Sequence, residues 1–172
     1  ELGRPVPSDS ELLGYVGPPI LDSFRDRARM DLGEAAAALD IYRPRYLESG
    51  ALDSTVFPGI AGVLRAIHAA GVPLSLATSK PEGPATLMLS HFGLLDCFDV
   101  ITGASDDEVR SAKQDVVAEA LVRLAARGAD LSRPVLVGDR EHDVEGAAAN
   151  GVPTIFVRWG YGSVEEERGS IA

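Results

Sequence analysis

The sequence is poor in the residues that mark disulfide-rich, membrane and nucleic-acid-binding proteins. Cys97 is its only cysteine, so no disulfide can form within the chain, and we expect a reducing compartment such as the cytoplasm. No apolar run reaches the ~18 residues that a membrane-spanning helix needs, which predicts no membrane partner. Basic residues are also scarce, with 16 Lys and Arg against 26 Asp and Glu and a net charge of −10. This balance predicts no nucleic-acid partner.

What is present indicates an α/β protein with two parts. The 172 residues suffice for one hydrophobic core with a small additional domain. Residues 1–55 show helical patterns only, and Ser8 with Glu11 matches the capping box that opens a helix. Residues 56–172 alternate strand and helix patterns, which is typical of a parallel sheet. We expect a monomer or a homodimer.

The most informative stretch lies near the end of the second part. Pro134–Val137 predicts a buried parallel strand, and the helix that follows begins near Glu141. Asp139 and Asp143 therefore fall at the carboxyl end of a strand, where open α/β sheets bind ligands. Two carboxylates at that edge suit Mg²⁺, which takes oxygen ligands. The alternative is that Asp139 caps the helix and Asp143 is solvated, and spacing alone does not decide between the two.

Two further strand ends carry polar residues. Thr78, Ser79 and Lys80 follow an apolar strand, and hydroxyl groups with backbone N–H groups at a helix start can bind a phosphate. Lys113 lies at the start of a later helix and could neutralise such a phosphate. Taken alone, the first group is more typical of a Ser/Thr cap, and an isolated Lys113 is more typical of a surface residue. Their order on successive strand–helix units carries more weight than either signal.

In that order the motifs resemble the haloacid dehalogenase superfamily, in its phosphoglycolate-phosphatase-like branch with a helical cap. Thr78 is similar to the second family motif, Lys113 to the third, and Gly138-Asp139-x-x-x-Asp143 to the fourth. The resemblance covers essentially the whole chain. The segments 77–81 and 138–143 look closest to members described as 5′-nucleotidases.

The resemblance implies a Rossmann-like doubly wound parallel sheet in residues 56–172 and an α-helical cap domain in residues 1–55. It also implies Mg²⁺-dependent hydrolysis of a small phosphorylated metabolite, such as a nucleoside 5′-monophosphate or phosphoglycolate. In that scheme Thr78 and Lys113 are catalytic, and together with Ser79 and Lys80 they bind the phosphate. Asp139 and Asp143 hold the metal.

One family feature is absent from the sequence. The first motif is an Asp-x-Asp pair on the first core strand, which supplies the nucleophile, and no such pair occurs here. Either the opening segment lies outside the chain as written, or the protein is a natural pseudo-enzyme that only binds a phosphorylated metabolite. We expect the former, because removing a central strand leaves backbone groups unpaired at ~1–3 kcal/mol each when buried. Two other protein classes are less consistent with the sequence. A dehalogenase needs no metal, so the acidic pair Asp139 and Asp143 argues against it. A response-regulator receiver domain would lack the helical segment of residues 1–55.

Overall fold

The computed structural model describes residues 3–105 and 109–171, and the described residues before position 51 form helices alone. The N-terminal helical segment (residues 9–50) comprises α1 (Asp9–Leu13), α2 (Ile20–Asp22), a π-helical turn (Ser23–Arg27), α3 (Leu32–Arg45) and a second π-helical turn (Tyr46–Gly50). The predicted capping box is confirmed, since Ser8 and Glu11 bond each other's backbone N–H groups. Pro44 lies in the last turn of α3, and the chain continues directly into the second π-helical turn at Tyr46.

Strands and helices alternate in the rest of the chain, so the α/β prediction is confirmed. The elements are α4 (Ile60–Ala69), β1 (Ser75–Pro81), α5 (Glu82–His91), a 3₁₀ turn (Leu95–Cys97), β2 (Val100–Ala104), α6 (Lys113–Ala126), β3 (Leu136–Gly138), α7 (Glu141–Ala148), β4 (Thr154–Phe156) and a 3₁₀ turn (Val164–Glu167).

The four strands form two parallel pairs that are joined through a helix. β1 pairs with β2, and β3 pairs with β4. Helix α6 contacts β1 and β2 on one side and α7 on the other. Its Val116, Val117 and Ala120 are buried, so the centre of the core lies along this helix.

The predicted burial of the Pro134–Val137 strand is wrong. Val135 is 49% exposed and Val137 61% exposed. Within the described part of the chain β3 pairs with β4 alone, so it lacks the side chains that a strand on its other edge would place beside it. β1 is likewise only half-buried along its whole length.

A second difference concerns where β1 ends. The apolar pattern predicts an end near Ala77, whereas the strand continues to Pro81. Pro81 pairs with Ala104 of β2 and keeps the chain extended, and the register is irregular between Ala77 and Pro81. Thr78, Ser79 and Lys80 therefore lie on the irregular end of a strand rather than beyond it.

Among residues 3–105 and 109–171, every helix is too short or too polar to cross a lipid bilayer.

Candidate functional site

The structure brings all the predicted site residues to one cavity. The cavity has a volume of about 620 Å³ and lies between the N-terminal helical segment and the strand ends of the core. Its core side is formed by the predicted residues Thr78, Ser79, Lys80, Lys113, Asp139 and Asp143. Its other wall is formed by apolar and aromatic side chains of the helical segment, including Leu39, Tyr42, Tyr46 and Leu47.

Lys113, the first residue of α6, links the two strand pairs. Its Nζ donates to the carbonyl of Ala77 at 3.1 Å and lies 2.8 Å from Asp143 Oδ1. The two side chains are only 13% and 11% exposed, so the alternatives of a surface lysine and a solvated carboxylate are wrong. The lysine stem passes close over α7 because position 146 is glycine. A Cβ there would lie 2.5 Å from Lys113 Cγ.

Asp143 organises the loop that precedes α7. Its Oδ2 accepts hydrogen bonds from the backbone N–H groups of Asp139 and Arg140, both at 3.1 Å. The carboxylate packs directly on Gly138, where a Cβ would lie 2.6 Å from Asp143 Cγ. Both oxygens of Asp143 therefore already have partners, one in the loop and one in Lys113.

Asp139 contacts a turn around Gly160 that the sequence analysis did not assign to the site. Its Oδ2 accepts from the backbone N–H of Tyr161 at 2.7 Å. Gly160 lets the turn come this close, since a Cβ there would lie 2.6 Å from Asp139 Cγ. The rings of Trp159 and Tyr161 do pack, with centroids 5.0 and 6.1 Å from that of Phe57. The backbone contact has no side-chain signature, and only the glycines on either side of Tyr161 indicated it.

The two carboxylates suit part of a magnesium site. Within the described residues, no group of three or more His, Cys, Asp or Glu side chains comes together as a metal cage. Mg²⁺ is commonly bound by one or two carboxylates together with ligand oxygens and waters, so two aspartates beside a cavity lined by hydroxyl and ammonium groups fit that pattern. Asp139 is the better direct ligand, because Asp143 is already engaged by Lys113 and by two backbone N–H groups.

The Thr78–Lys80 end of β1 contacts the helical segment through Lys80. Thr78 Oγ1 accepts from the backbone N–H of Lys80 at 3.1 Å. The Lys80 ammonium hydrogen-bonds the hydroxyl of Tyr46 and lies 4.5 Å from the centroid of its ring. In the described part of the chain, no carboxylate forms an ion pair with Lys80. The sequence analysis did not predict this contact of Tyr46.

Aromatic stacking holds Tyr46 in place. The rings of Tyr42 and Tyr46 stack with centroids 5.4 Å apart at 17°, and Phe24 meets Tyr42 edge-on. Burial raises the pKa of the Tyr42 hydroxyl, and the neighbouring Tyr46 adds to the effect, so Tyr42 is a neutral wall of the cavity.

The charges around the cavity differ from those of the whole chain. Its lining contains the basic residues Arg43, Lys80, Lys113 and Arg140 and the acidic residues Asp139 and Asp143. The chain as a whole carries a net charge of −10. A local excess of cations in an acidic protein favours an anionic ligand at this position.

Comparison with known proteins agrees with this geometry. The family model described as haloacid dehalogenase-like hydrolase matches residues 1–157. The chain is 44% identical over 165 residues to the tyrosine-protein kinase PtkA of Mycobacterium tuberculosis, covering 95% of this chain and 55% of PtkA. It is 34% identical to a 5′-nucleotidase of Pseudomonas aeruginosa, covering 97% of this chain and 74% of that protein. Relatives named phosphoglycolate phosphatase include one from Caulobacter vibrioides, at 34% identity over 78% of this chain.

Solved structures show the same fold. A predicted phosphatase from Clostridium acetobutylicum matches with a TM-score of 0.88 and 36% identity, covering 97% of this chain and 76% of that one. The chain spans about half the length of the PtkA sequences that it matches. The family match covers most of its residues, and the chain therefore belongs to the haloacid dehalogenase-like hydrolases.

Proposed function

We propose that the protein hydrolyses the phosphate monoester of a small metabolite with the help of Mg²⁺. The single observation that carries the proposal is the shared cavity. The Thr78–Lys80 end of β1, Lys113 and the Asp139 loop all line it. Hydroxyl, ammonium and carboxylate groups in one partly closed cavity are the set that phosphoryl transfer requires, because catalysis there is mainly positioning and charge stabilisation.

Each residue has a part in this proposal. Thr78, with the backbone of Ser79 and Lys80, holds the non-bridging phosphate oxygens, and Lys113 offsets their charge. Asp139 contributes a carboxylate oxygen to the metal, which when bound neutralises charge on the transferred phosphoryl group. Asp143 fixes the Asp139 loop and Lys113 together, or contacts the metal through water.

The nucleophile is proposed to come from a further strand between β1 and β3. The support is that β1 is half-buried and that Val135 and Val137 of the β3 region are largely exposed. An Asp-x-Asp pair on that strand would complete the site. The first aspartate attacks phosphorus, the ester oxygen leaves with a proton from the second, and water then hydrolyses the aspartyl phosphate to restore the carboxylate.

A nucleoside 5′-monophosphate and phosphoglycolate are the two substrates that we put forward. The names of the relatives support both. A cavity of about 620 Å³ with an apolar wall leaves room for a leaving group as large as a nucleoside. We further propose a cytoplasmic monomer or homodimer without nucleic-acid or membrane partners.

The test is a panel of phosphate monoesters assayed with the full-length protein, with and without Mg²⁺. Turnover that needs Mg²⁺ and falls at least ~100-fold in Asp139→Asn supports the proposal, since loss of one charge-stabilising group typically costs 10²–10³-fold. Asp96→Asn removes an exposed carboxylate far from the cavity and serves as the matched control. Binding of monoesters without turnover would instead indicate a non-catalytic binding protein.

A second candidate is phosphoryl transfer to a protein. The observation that favours it is the 44% identity to PtkA, which is named a tyrosine-protein kinase. The same Thr78, Lys113 and Asp139 groups would then hold the phosphoryl group during transfer. Incubation with ATP labelled in its γ-phosphate separates the candidates, because a tyrosine kinase leaves the label on protein as a stable phosphate ester, whereas a hydrolase carries it only as an aspartyl phosphate that water cleaves.

A further inference from the structure

Arg140 joins three segments of the chain at a nearly buried position. Its side chain is 13% exposed, and its Nε donates to Glu166 Oε2 at 2.8 Å. Its Nη1 donates to the carbonyl of Val16, which lies 124 residues away in the sequence. The guanidinium therefore connects the loop after Asp139, the C-terminal 3₁₀ turn and the N-terminal helical segment.

Glu166 is a fixed anchor for one end of this link. Its Oε2 also accepts from the backbone N–H of Glu141 at 3.0 Å, and its Oε1 accepts from that of Ser163 at 3.3 Å. Burial opposes the charged form of the carboxylate, but the hydrogen bonds from Arg140 and the two N–H groups outweigh it and lower the pKa of Glu166. Glu166 and the loop before α7 are thus held together independently of the helical segment.

The other end of the link lies against a backbone that only glycine fits. Gly17 has φ +111°, and a Cβ at this position would lie 2.8 Å from Arg140 Nη1 and 3.2 Å from its Cγ. The Val16–Gly17 turn therefore lies directly on the Arg140 side chain. Both residues also line the cavity with Arg140.

The contact between Arg140 and Val16 bears on the candidate site because Arg140 belongs to the Asp139 loop. Arg140 directly follows Asp139, and the backbone N–H groups of both residues are held by the same Oδ2 of Asp143. A displacement of the Arg140 side chain therefore acts on the residue next to Asp139, the candidate metal ligand. Release of the helical segment would remove the bond from Nη1 to Val16, leave the guanidinium held by Glu166 alone and so loosen this loop.

We propose that Arg140 is a positioning residue that couples the docking of the N-terminal helical segment to the geometry of the Asp139 loop. Where it concerns turnover, this inference rests on the proposed function. The coupling itself is a property of the fold and has its own readout.

The test is hydrogen–deuterium exchange of the backbone amides of residues 15–24 in the full-length protein. Arg140→Met removes both bonds, and amide exchange in this segment should become about tenfold faster, because a hydrogen bond from a charged donor is lost. Arg140→Lys keeps one donor and should fall between the wild type and Arg140→Met. Arg158→Met is the matched control, because Arg158 also pairs with the C-terminal 3₁₀ turn, through Glu167, but among the described residues forms no hydrogen bond or ion pair with the helical segment.

A second variant attacks the contact from the other side and leaves Arg140 in place. Gly17→Ala should also accelerate exchange in residues 15–24 and, through Arg140, at the amides of Asp139 and Arg140 that the Asp143 carboxylate holds. Gly59→Ala controls for backbone strain, since Gly59 has φ +86° with open space around it. Acceleration in both Arg140→Met and Gly17→Ala, with neither control affected, supports the coupling. Any other pattern, including equal acceleration in Arg158→Met, overturns it.

Turnover separates this inference from the proposed function. If monoesters are hydrolysed, Arg140→Met should lower kcat/KM about tenfold while Arg158→Met leaves it unchanged. If the wild-type protein hydrolyses none, the proposed function fails, and the exchange data still decide whether Arg140 couples the two parts.

Discussion

The ion pair between Lys113 and Asp143 offers the most direct test of how the site is built. Asp143→Asn keeps an oxygen for the backbone N–H groups of the loop but leaves the Lys113 ammonium without its counter-charge. Removing one partner of a buried pair costs ~3–5 kcal/mol. The side chains here keep 11–13% exposure, and Lys113 keeps its bond to Ala77. We therefore expect the free energy of unfolding to fall by about 2–3 kcal/mol.

The measurement is urea unfolding of the full-length protein, followed by far-UV circular dichroism. At this chain length the expected loss corresponds to a fall of about 5–10 °C in Tm. Lys113→Met should cost less, about 1–2 kcal/mol, because Asp143 retains two backbone donors. The double variant should then be more stable than the sum of the single changes predicts, by about 1–2 kcal/mol.

The control is Glu167→Gln, which breaks the exposed pair with Arg158, a residue whose side chain is 73% exposed. Exposed pairs contribute ~0–1 kcal/mol, so this change should be small. Effects of Asp143→Asn and Lys113→Met that add within about 0.5 kcal/mol would refute the reasoning, because they would show that the two charges do not depend on each other.

Three further changes probe other contacts of the cavity. Gly160→Ala should lower turnover at least ~100-fold in steady-state kinetics and leave the fold intact. The reason is that the added Cβ would displace the Asp139 carboxylate. Tyr46→Phe removes the hydroxyl that Lys80 bonds but keeps the ring, and KM should rise about fivefold, in line with ~1 kcal/mol for one hydrogen bond. Glu166→Gln should destabilise the protein at pH 7, in urea unfolding, by an amount that shrinks as the pH falls below 4.5, the ordinary pKa of the group. The sign follows from the lowered pKa: the carboxylate stabilises the fold above its unfolded pKa, and that stability is lost as pH falls through the folded value.

Each of these three changes has a control or a contradicting result. Gly62→Ala adds a Cβ in open space and should leave turnover unchanged. An unchanged KM in Tyr46→Phe would show that the hydroxyl of Tyr46 is not needed to place Lys80. A pH-independent effect of Glu166→Gln would contradict a role for the charged form.

The sequence predicted the features that depend on local patterns. The sequence placed Lys113 at the start of a helix, and α6 begins at Lys113, since the start of a helix is a local signal. The capping box at Ser8 was predicted for the same reason. Asp139 and Lys113 were predicted to share a site because carboxyl ends of parallel strands lie at one edge of the core.

The features that the sequence did not predict depend on contacts between distant segments. The exposure of Val137 follows from which strand pairs with β3, and no property of Val137 encodes that. The bond from the Tyr161 backbone to Asp139 involves a group that every residue except proline has. Tyr46 reaches Lys80 only because the helical segment lies over the core, and the apolar pattern of a helix does not show which neighbour it meets.

The path of the Lys113 side chain has a consequence for how the protein responds to ligand. The Lys113 side chain starts on α6, which packs on β1 and β2. It ends at Asp143 of α7, which contacts β3 and β4. The proposed anion site at Lys113 therefore depends on contacts with both strand pairs. A phosphate or phosphonate that binds there would stabilise the contact between the two strand pairs. At a concentration one hundred times its Kd it would stabilise the folded chain by about 2.7 kcal/mol.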